Sequence, residues 1–396
     1  MLVNLNCNRY YRNLTTSTAR SSLSRKFCLF NTQTRDSPRR LWSLAVDCKR
    51  PADEMVESMR AGPRKPRSEN VDGPLWVDAT CISCDTCRWM SPEHFHFAAG
   101  QSAVWRQPES RNEQRAALRA VVACPVGSIH FEGQKGKALQ AASADFPMLM
   151  PDAEPLGLEI FHLGHHSPFS FGAAPWLLRN PSNGVCALVD VPRYSTGLKK
   201  SLERAFGPGK IRYMFLTHAD DVADHDWWAR NLGVRRVIHE TEARDELALS
   251  ERSATGLESC EIQLSGAGPW DPFQGELGEG TQVMYAPGHS VGHCLLHFQP
   301  RRNGPAALFT GDHLAKLRAT GTLDAFMLAN KYDFRLQLHS LESLAEARPA
   351  VDVRLVVPGH GRVWKTDDFP GDLQGVCSRL SSRIEDGSVY TAQPSN

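Results

Sequence analysis

Four cysteines carry the first recognisable chemistry in this sequence. Cys81, Cys84 and Cys87 are separated by two residues each, and Cys124 follows much later, directly before Pro125. Three thiolates at that spacing can wrap one loop around three irons of a cube, and a cysteine before proline on a distant turn closes the fourth corner. A structural zinc site usually draws on two separated cysteine pairs, so this pattern argues for a [4Fe–4S] cluster instead. No second set follows the rule, so one cluster is expected. The other seven cysteines (Cys7, Cys28, Cys48, Cys186, Cys260, Cys294 and Cys377) are scattered, which suits a reducing compartment better than a disulfide scaffold.

A second constellation lies further along. The apolar run Tyr213–Leu216 leads into Thr217-His218-Ala-Asp220-Asp221-Val-Ala-Asp224-His225, and later come Gly288-His289-Ser-Val-Gly-His293, Gly311-Asp312 and Pro358-Gly-His360-Gly361. Each candidate sits where a short β run hands over to a loop. Imidazoles and carboxylates gathered at strand ends can meet at one sheet edge and hold borderline metals. Taken singly, a Gly-His in a turn is ordinary; the ordered series of such elements is what points to a metal centre.

The elements that must position these groups are legible as patterns. Arg111–Val122 has the composition of a helix that would bring Cys124 back to the cysteine loop. In the larger region, 158–162, 172–178, 185–189, 211–216, 234–238, 282–285, 294–298, 306–309 and 353–357 read as strands, while 198–206, 222–232 and 335–347 read as helices. The domain limits expected are 1–73 for a transit peptide and linker, 74–132 for the iron–sulfur segment, 154–386 for the metal-binding domain, and 387–396 for a frayed tail. Residues 132–153 read as a polar spacer, and residues 54–59 as a short helix at most.

The cysteine spacing, with Trp76-Val-Asp-Ala-Thr80 before it and Pro125-Val-Gly-Ser-Ile129 after it, resembles single-cluster bacterial ferredoxins. From about Leu156 to Ser382 the chain resembles the metallo-β-lactamase superfamily in its glyoxalase II-like, two-metal form. That resemblance implies an α+β fold, a four-layer αβ/βα sandwich with metals at the sheet edge. It assigns His218 and His289 to one metal site, Asp224, His225 and His360 to the other, and Asp312 to a bridge between them, with Asp190 behind the ligand loop. Asp224, His225 and Asp312 are then the catalytic residues, and Asp224, His225, Asp312 and His360 the tighter site. The family's H-x-H-x-D-H is replaced here by H-A-D-D-V-A-D-H, two residues longer and lacking the second histidine. Asp220 is the first substitute for it and Asp221 the alternative; an oxygen ligand makes zinc less strongly favoured and iron or manganese easier to hold. A single-metal enzyme is also compatible. Pro175-Trp-Leu-Leu-Arg179 and Val189-Asp-Val-Pro-Arg-Tyr-Ser195, behind a ferredoxin segment, resemble a plant and algal class with the same two-domain layout.

Other polar residues are given modest roles. His165 and His166 are expected in a solvated turn, His239 at a surface strand end, and His293 and His313 behind the ligands or lining the pocket. At least one of Trp227 and Trp228 is expected in the core. Arg193, Tyr194 and Lys331 are candidates for substrate contact.

A net charge of +1 gives no global pull toward nucleic acid or an anionic membrane, and no run of about 18 apolar residues exists to span one. The first 35 residues carry Arg9, Arg12, Arg20, Arg25, Lys26 and Arg35 among many serines and threonines, with no acid before Asp36. That composition predicts a transit peptide, for the chloroplast first and the mitochondrion as alternative. The expected function is metal-dependent hydrolysis of a small molecule, coupled to a cluster that transfers electrons or senses redox state and faces an electron-transfer partner protein. The alternative is an iron-dependent oxidoreductase of the same fold fed by the cluster, and a non-catalytic module is the third reading.

Overall fold

The computed structural model describes residues 64–133, 136–244, 256–327, 330, 332–347 and 351–389. The basic N-terminal stretch, the helix expected at 54–59, Lys331 and most of the C-terminal tail lie outside the described residues.

The iron–sulfur segment is built from β1 (Leu75–Val77), α1 (Thr86–Met90), β2 (Phe95–Ala98), β3 (Gln101–Val104), α2 (Arg111–Ala123), β4 (Ile129–Phe131) and α3 (Lys137–Ser143). β1 pairs antiparallel with β4, and β2 with β3. A capping box starts α2: Ser110 Oγ accepts from Glu113 N, while the Glu113 carboxylate accepts from Ser110 N. The helix then runs straight to its C-cap, Cys124, which is how the fourth cysteine returns to the loop of the other three. Residues 64–73, read from the sequence as linker, are packed on this segment. Asn70 Nδ2 donates to Val77 O, and its Oδ1 accepts from Val77 N and Val104 N.

The larger domain begins earlier than residue 154, because β5 (Met148–Leu149) already belongs to its first sheet. β6 (Glu159–His162), β7 (Trp176–Arg179), β8 (Cys186–Val189), α4 (Thr196–Phe206), β9 (Ile211–Phe215), α5 (His225–Leu232), β10 (Arg235–His239), α6 (Glu240–Arg244) and β11 (Ile262–Leu264) follow. The second half contains β12 (Gln282–Tyr285), β13 (Cys294–Phe298), β14 (Ala306–Gly311), β15 (Leu314–Lys316), β16 (Leu323–Ala325), α7 (Phe334–Glu346), β17 (Val353–Pro358), β18 (Trp364–Lys365) and α8 (Phe369–Glu385). The strands form a sheet ordered β11-β10-β9-β8-β7-β6-β5 and another ordered β12-β13-β14-β17-β18.

Side-chain alternation along these strands explains the layers. Trp176, Leu178, Ala187, Val189, Tyr213 and Phe215 face Leu296, Phe298, Ala307, Phe309, Leu355 and Val357 across the middle of the sandwich. The alternate residues Leu177, Leu188 and Met214 pack under Leu198, Leu202 and Trp228, from α4 and the α5 region. On the opposite outer face, Leu295, Leu308 and Val356 pack under Leu341, Leu344, Leu373 and Val376 of α7 and α8. The result is an α+β, four-layer sandwich with the small iron–sulfur domain before it. Both belong to one compact unit, Met59–Asn396, and Leu75, Cys124, Val126 and Phe146 share a core with Leu163 and Leu177.

Candidate metal centre and cluster site

β8, β9, β12, β14 and β17 each end within four residues of a candidate ligand or its support. Because β8 and β9 are parallel, as are β14 and β17, these ends gather at one edge of the sandwich.

The construction starts at Asp190, held at φ 51° just past β8. Its Oδ1 accepts from Thr217 N and from Thr217 Oγ1, each at 3.0 Å. Thr217 Oγ1 has thus committed its proton, so at 2.9 Å it accepts from His218 Nδ1. That makes Nδ1 the donor, and His218 Nε2 is left buried with no hydrogen-bond partner, placed where a cation can take the position of its proton. His218 reaches a common point with His289 and Asp312, and Asp312 shares a second point with Asp221 and His360. Asp312 Oδ1 accepts from His360 N at 3.2 Å and from His360 Nδ1 at 2.8 Å, and Asp312 Oδ2 lies 3.8 Å from His289 Nε2. Asp221 is fully buried, yet neither of its carboxylate oxygens has a hydrogen-bond partner. Close packing at Gly311 keeps Asp312 in place. Its φ is +47°, and a Cβ there would stand 2.6 Å from Thr217 Oγ1 and 2.8 Å from His293 Nε2.

The electrostatics ask for a cation. Burial alone would depress the His218 and His360 pKa values, but nearby carboxylates, Asp221 and Asp312 foremost, raise them to about 9 and about 10. Asp221 is pushed well above the carboxylate range by burial, whereas His360 and the other histidines hold Asp312 low despite its burial. Burial takes His289 to about 4 and His313 to about 3, so both rings are neutral at pH 7 with lone pairs available. A carboxyl buried this way ionises readily only when it is paired or coordinates metal. The donor set of imidazoles and carboxylates, with orphaned atoms turned inward, fits divalent ions.

The ligand loop places the motif's residues differently from the reading by spacing. Asp224 and His225 are not brought to either group. Asp224 sits at the N-cap of α5 with φ 63°, its Oδ2 accepting from Tyr194 N at 2.8 Å. His225 Nδ1 accepts from Arg236 Nη1 at 3.1 Å. Asp221, and neither of these two, is grouped with Asp312 and His360. Residues Ala219–Asp221 form a 3₁₀ turn directly after His218, and with three residues per turn positions 218 and 221 lie on one side. Asp220, the first substitute chosen from spacing, falls on another side: its charge helps raise the His218 pKa, but it joins neither group.

Glu242 had no sequence signal of its own and proves central. Its buried carboxylate accepts from Ala219 N at 2.8 Å, Ser290 Oγ at 2.7 Å and Gly292 N at 2.6 Å, tying the His218 loop to the His289 loop. Glu242→Ala is expected to weaken metal binding about 10- to 100-fold, the usual cost of losing a group that orients ligands. Equilibrium dialysis of the variant against zinc checks this.

The remaining histidines are more buried than the sequence suggests. His165 and His166 are 7% and 0% exposed, and His239 is 3% exposed, bonded to Thr241 and the Gly266 carbonyl. His293 and His313 are fully buried behind the ligands, with ring centroids 5.2 Å apart. Trp228 is core and donates to Pro192 O at 2.7 Å, while Trp227 is 40% exposed.

Cys81, Cys84, Cys87 and Cys124 line one hollow floored by Val77, Val126 and Ile129. Hydroxyls stand beside three of the sulfurs: Thr86 at 3.3 Å from Cys84, Ser102 at 3.2 Å from Cys87 and Ser128 at 3.4 Å from Cys124. Burial and mutual repulsion push the Cys84 thiol up to about 12, so four thiols crowded here suit a cationic iron core that takes them as thiolates. Cys124→Ser is expected to abolish the cluster's broad visible absorption and acid-labile sulfide, with the far-ultraviolet dichroism of the sandwich retained.

Residues 77–131 match the model of the 4Fe-4S single cluster domain of Ferredoxin I, and residues 175–360 match that of the metallo-beta-lactamase superfamily. Similar solved structures include a metallo-beta-lactamase family protein from Thermus thermophilus, at 18% identity over 54% of this chain and 76% of that one, TM-score 0.36. The B3 metallo-beta-lactamase BLEG-1 is 19% identical over 55% of this chain and 97% of its own, TM-score 0.40. A metallo-beta-lactamase from Hirschia baltica is 18% identical over 52% and 85%, TM-score 0.39. The comparison with curated proteins gives no match. The chain therefore joins a single-cluster 4Fe–4S domain to a domain of the metallo-β-lactamase superfamily.

Proposed function

We propose that the protein is a metal-dependent hydrolase whose centre is formed by His218, His289, Asp312, Asp221 and His360. The observation that carries this reading is the buried Asp221 carboxylate, whose oxygens accept no hydrogen bond although His360 Nδ1 stands 3.7 Å from Oδ2, grouped with Asp312 and His360 at the strand-end edge. Bound divalent ions would polarise a carbonyl or phosphoryl oxygen and bring the pKa of water near 7. The chain's own part is to hold three imidazoles and two carboxylates rigidly, with Asp312 shared between the two groups. Zinc suits the imidazoles, and the paired carboxylates also admit iron or manganese.

A second reading, an iron-dependent oxidoreductase supplied by the cluster, is favoured by the cluster loop's contact with the ligand-bearing domain through Asp85 and Arg362. Metal analysis, with cluster iron subtracted, separates the two. Zinc together with turnover of an ester, thioester, lactam or phosphodiester supports hydrolysis; iron with no turnover on that panel supports redox chemistry; no metal beyond the cluster overturns both.

The basic, hydroxyl-rich N-terminus supports import into a plastid, with mitochondria as the alternative. A fluorescent fusion of residues 1–73 that stays cytosolic would refute import. A small electron-transfer protein is the natural partner of the cluster, and a small molecule the substrate. Among the described residues no helix is long and apolar enough to cross a membrane.

A further inference from the structure

One short loop touches the cluster cysteines on one side and the metal ligands on the other. At Gly172, φ +86°, a Cβ would stand 2.8 Å from Cys84 Cβ, 3.3 Å from Cys84 Sγ and 3.1 Å from Pro125 Cγ, so the backbone passes directly over the cluster loop. The Gly172 carbonyl accepts from His166 Nδ1 at 2.8 Å. The fully buried His166 ring also lies 3.4 Å from Thr86 Oγ1, the hydroxyl beside Cys84 Sγ. With the Nδ1 proton given to the Gly172 carbonyl, Thr86 Oγ1 is a longer, shared neighbour of that nitrogen and stands 3.3 Å from Cys84 Sγ.

From its other side the loop holds both halves of the Asp221–His360 group. Ser170 Oγ accepts from Ala223 N at 3.3 Å, two residues past Asp221. Ala174 N donates to Gly359 O at 2.7 Å, next to His360. A second link runs in parallel. Arg362, two residues past His360, donates to both carboxylate oxygens of Asp85 at 2.7 and 3.2 Å, and Asp85 adjoins Cys84. Asp85 also pairs with the buried Arg88, which donates to Ser102 Oγ at 2.9 Å, beside Cys87.

We infer that the cluster and the metal centre act as one linked redox unit, in which an electron on the cluster and a cation held by Asp221, Asp312 and His360 stabilise each other through loop 165–174 and the Asp85–Arg362 pair. This rests on the reading that the chain holds both groups, and is independent of which reaction the centre performs. The step is one electron passing from a low-potential one-electron donor to the cluster, from the 2+ to the 1+ state, with no bond made or broken and no proton required. Added negative charge in a poorly solvated interface favours a nearby cation. By reciprocity, the bound cation raises the cluster's midpoint potential by the same free energy.

The test uses the full chain with its cluster, titrated anaerobically with dithionite and mediators before and after zinc is bound at the second site. The midpoint should move to a more positive value with zinc; each tenfold gain in zinc affinity on reduction corresponds to about 59 mV. Arg362→Gln, which removes a positive charge beside Asp85, should lower the midpoint and shrink the zinc-dependent shift, and Arg362→Lys should restore much of both. A midpoint unchanged when metal analysis shows zinc bound would overturn the linkage and leave the hydrolase reading standing. Failure of zinc, iron and manganese alike to bind would overturn both. An Arg362→Gln midpoint equal to wild type would remove the Asp85–Arg362 leg.

Discussion

Asp312→Ala is expected to strip metal from both ligand groups and to abolish hydrolysis on the substrate panel. Among the described residues no other belongs to both groups, since His218 and His289 meet it on one side and Asp221 and His360 on the other. Losing a residue that merely orients a ligand costs about 10- to 100-fold in metal affinity, so losing the shared carboxylate should cost more than about 100-fold at each group. Removing it also leaves His360 Nδ1 without its 2.8 Å acceptor. Metal content by elemental analysis, after gel filtration in metal-free buffer, measures the effect. The cluster's iron should remain, because the four cysteines are untouched. Retention of the second-domain metal at wild-type levels would show that Asp312 is not the bridge.

The second large effect separates two registers of one loop. Asp221→Ala should lower metal content and activity more than about 100-fold, whereas Asp224→Ala should leave metal content close to wild type. The contrast follows from local geometry. Asp221 ends the 3₁₀ turn with both carboxylate oxygens buried and accepting no hydrogen bond, whereas Asp224 turns away to accept from the Tyr194 amide. Asp224→Ala places alanine at φ 63° and removes the acceptor of the Tyr194 amide, so its expected effect is on stability, about 1–3 kcal/mol, read as a lower thermal midpoint with metal retained. Metal loss in Asp224→Ala and retention in Asp221→Ala would restore the register that the motif alone suggests.

Local signals were enough for the iron–sulfur segment. The C-x2-C-x2-C spacing and Cys124-Pro125 are properties of the chain itself, and α2 between them is specified by its own capping box. The strands and helices of the sandwich were legible from period-2 and period-3.6 patterning, and both outer faces and the inner face follow the alternation seen in positions 176–178 and 295–298. Element ends were less so. The strand expected over 172–178 begins only at Trp176, because Gly172 and Ala173 are held in the loop that crosses the cluster.

By itself the sequence determined that imidazoles and carboxylates stand at the ends of strands, that four thiols suit one cluster, and that Asp312, His289, His218 and His360 are candidate ligands. Which aspartate lies with Asp312 and His360 was decided only in three dimensions. A one-residue choice between Asp220 and Asp221 depends on whether the turn after His218 is extended or 3₁₀, and that turn is held from outside by Glu242 on Ala219 N and Ser170 on Ala223 N. These partners lie 23 and 53 residues away in the chain. Likewise, nothing in the spacing of His165 and His166 shows that the loop they open lies between Cys84 and Gly359. Spacing encodes the reach of a local turn, whereas packing between distant segments sets which side chains are buried together, and it is burial that makes a carboxylate without hydrogen bonds demand a cation.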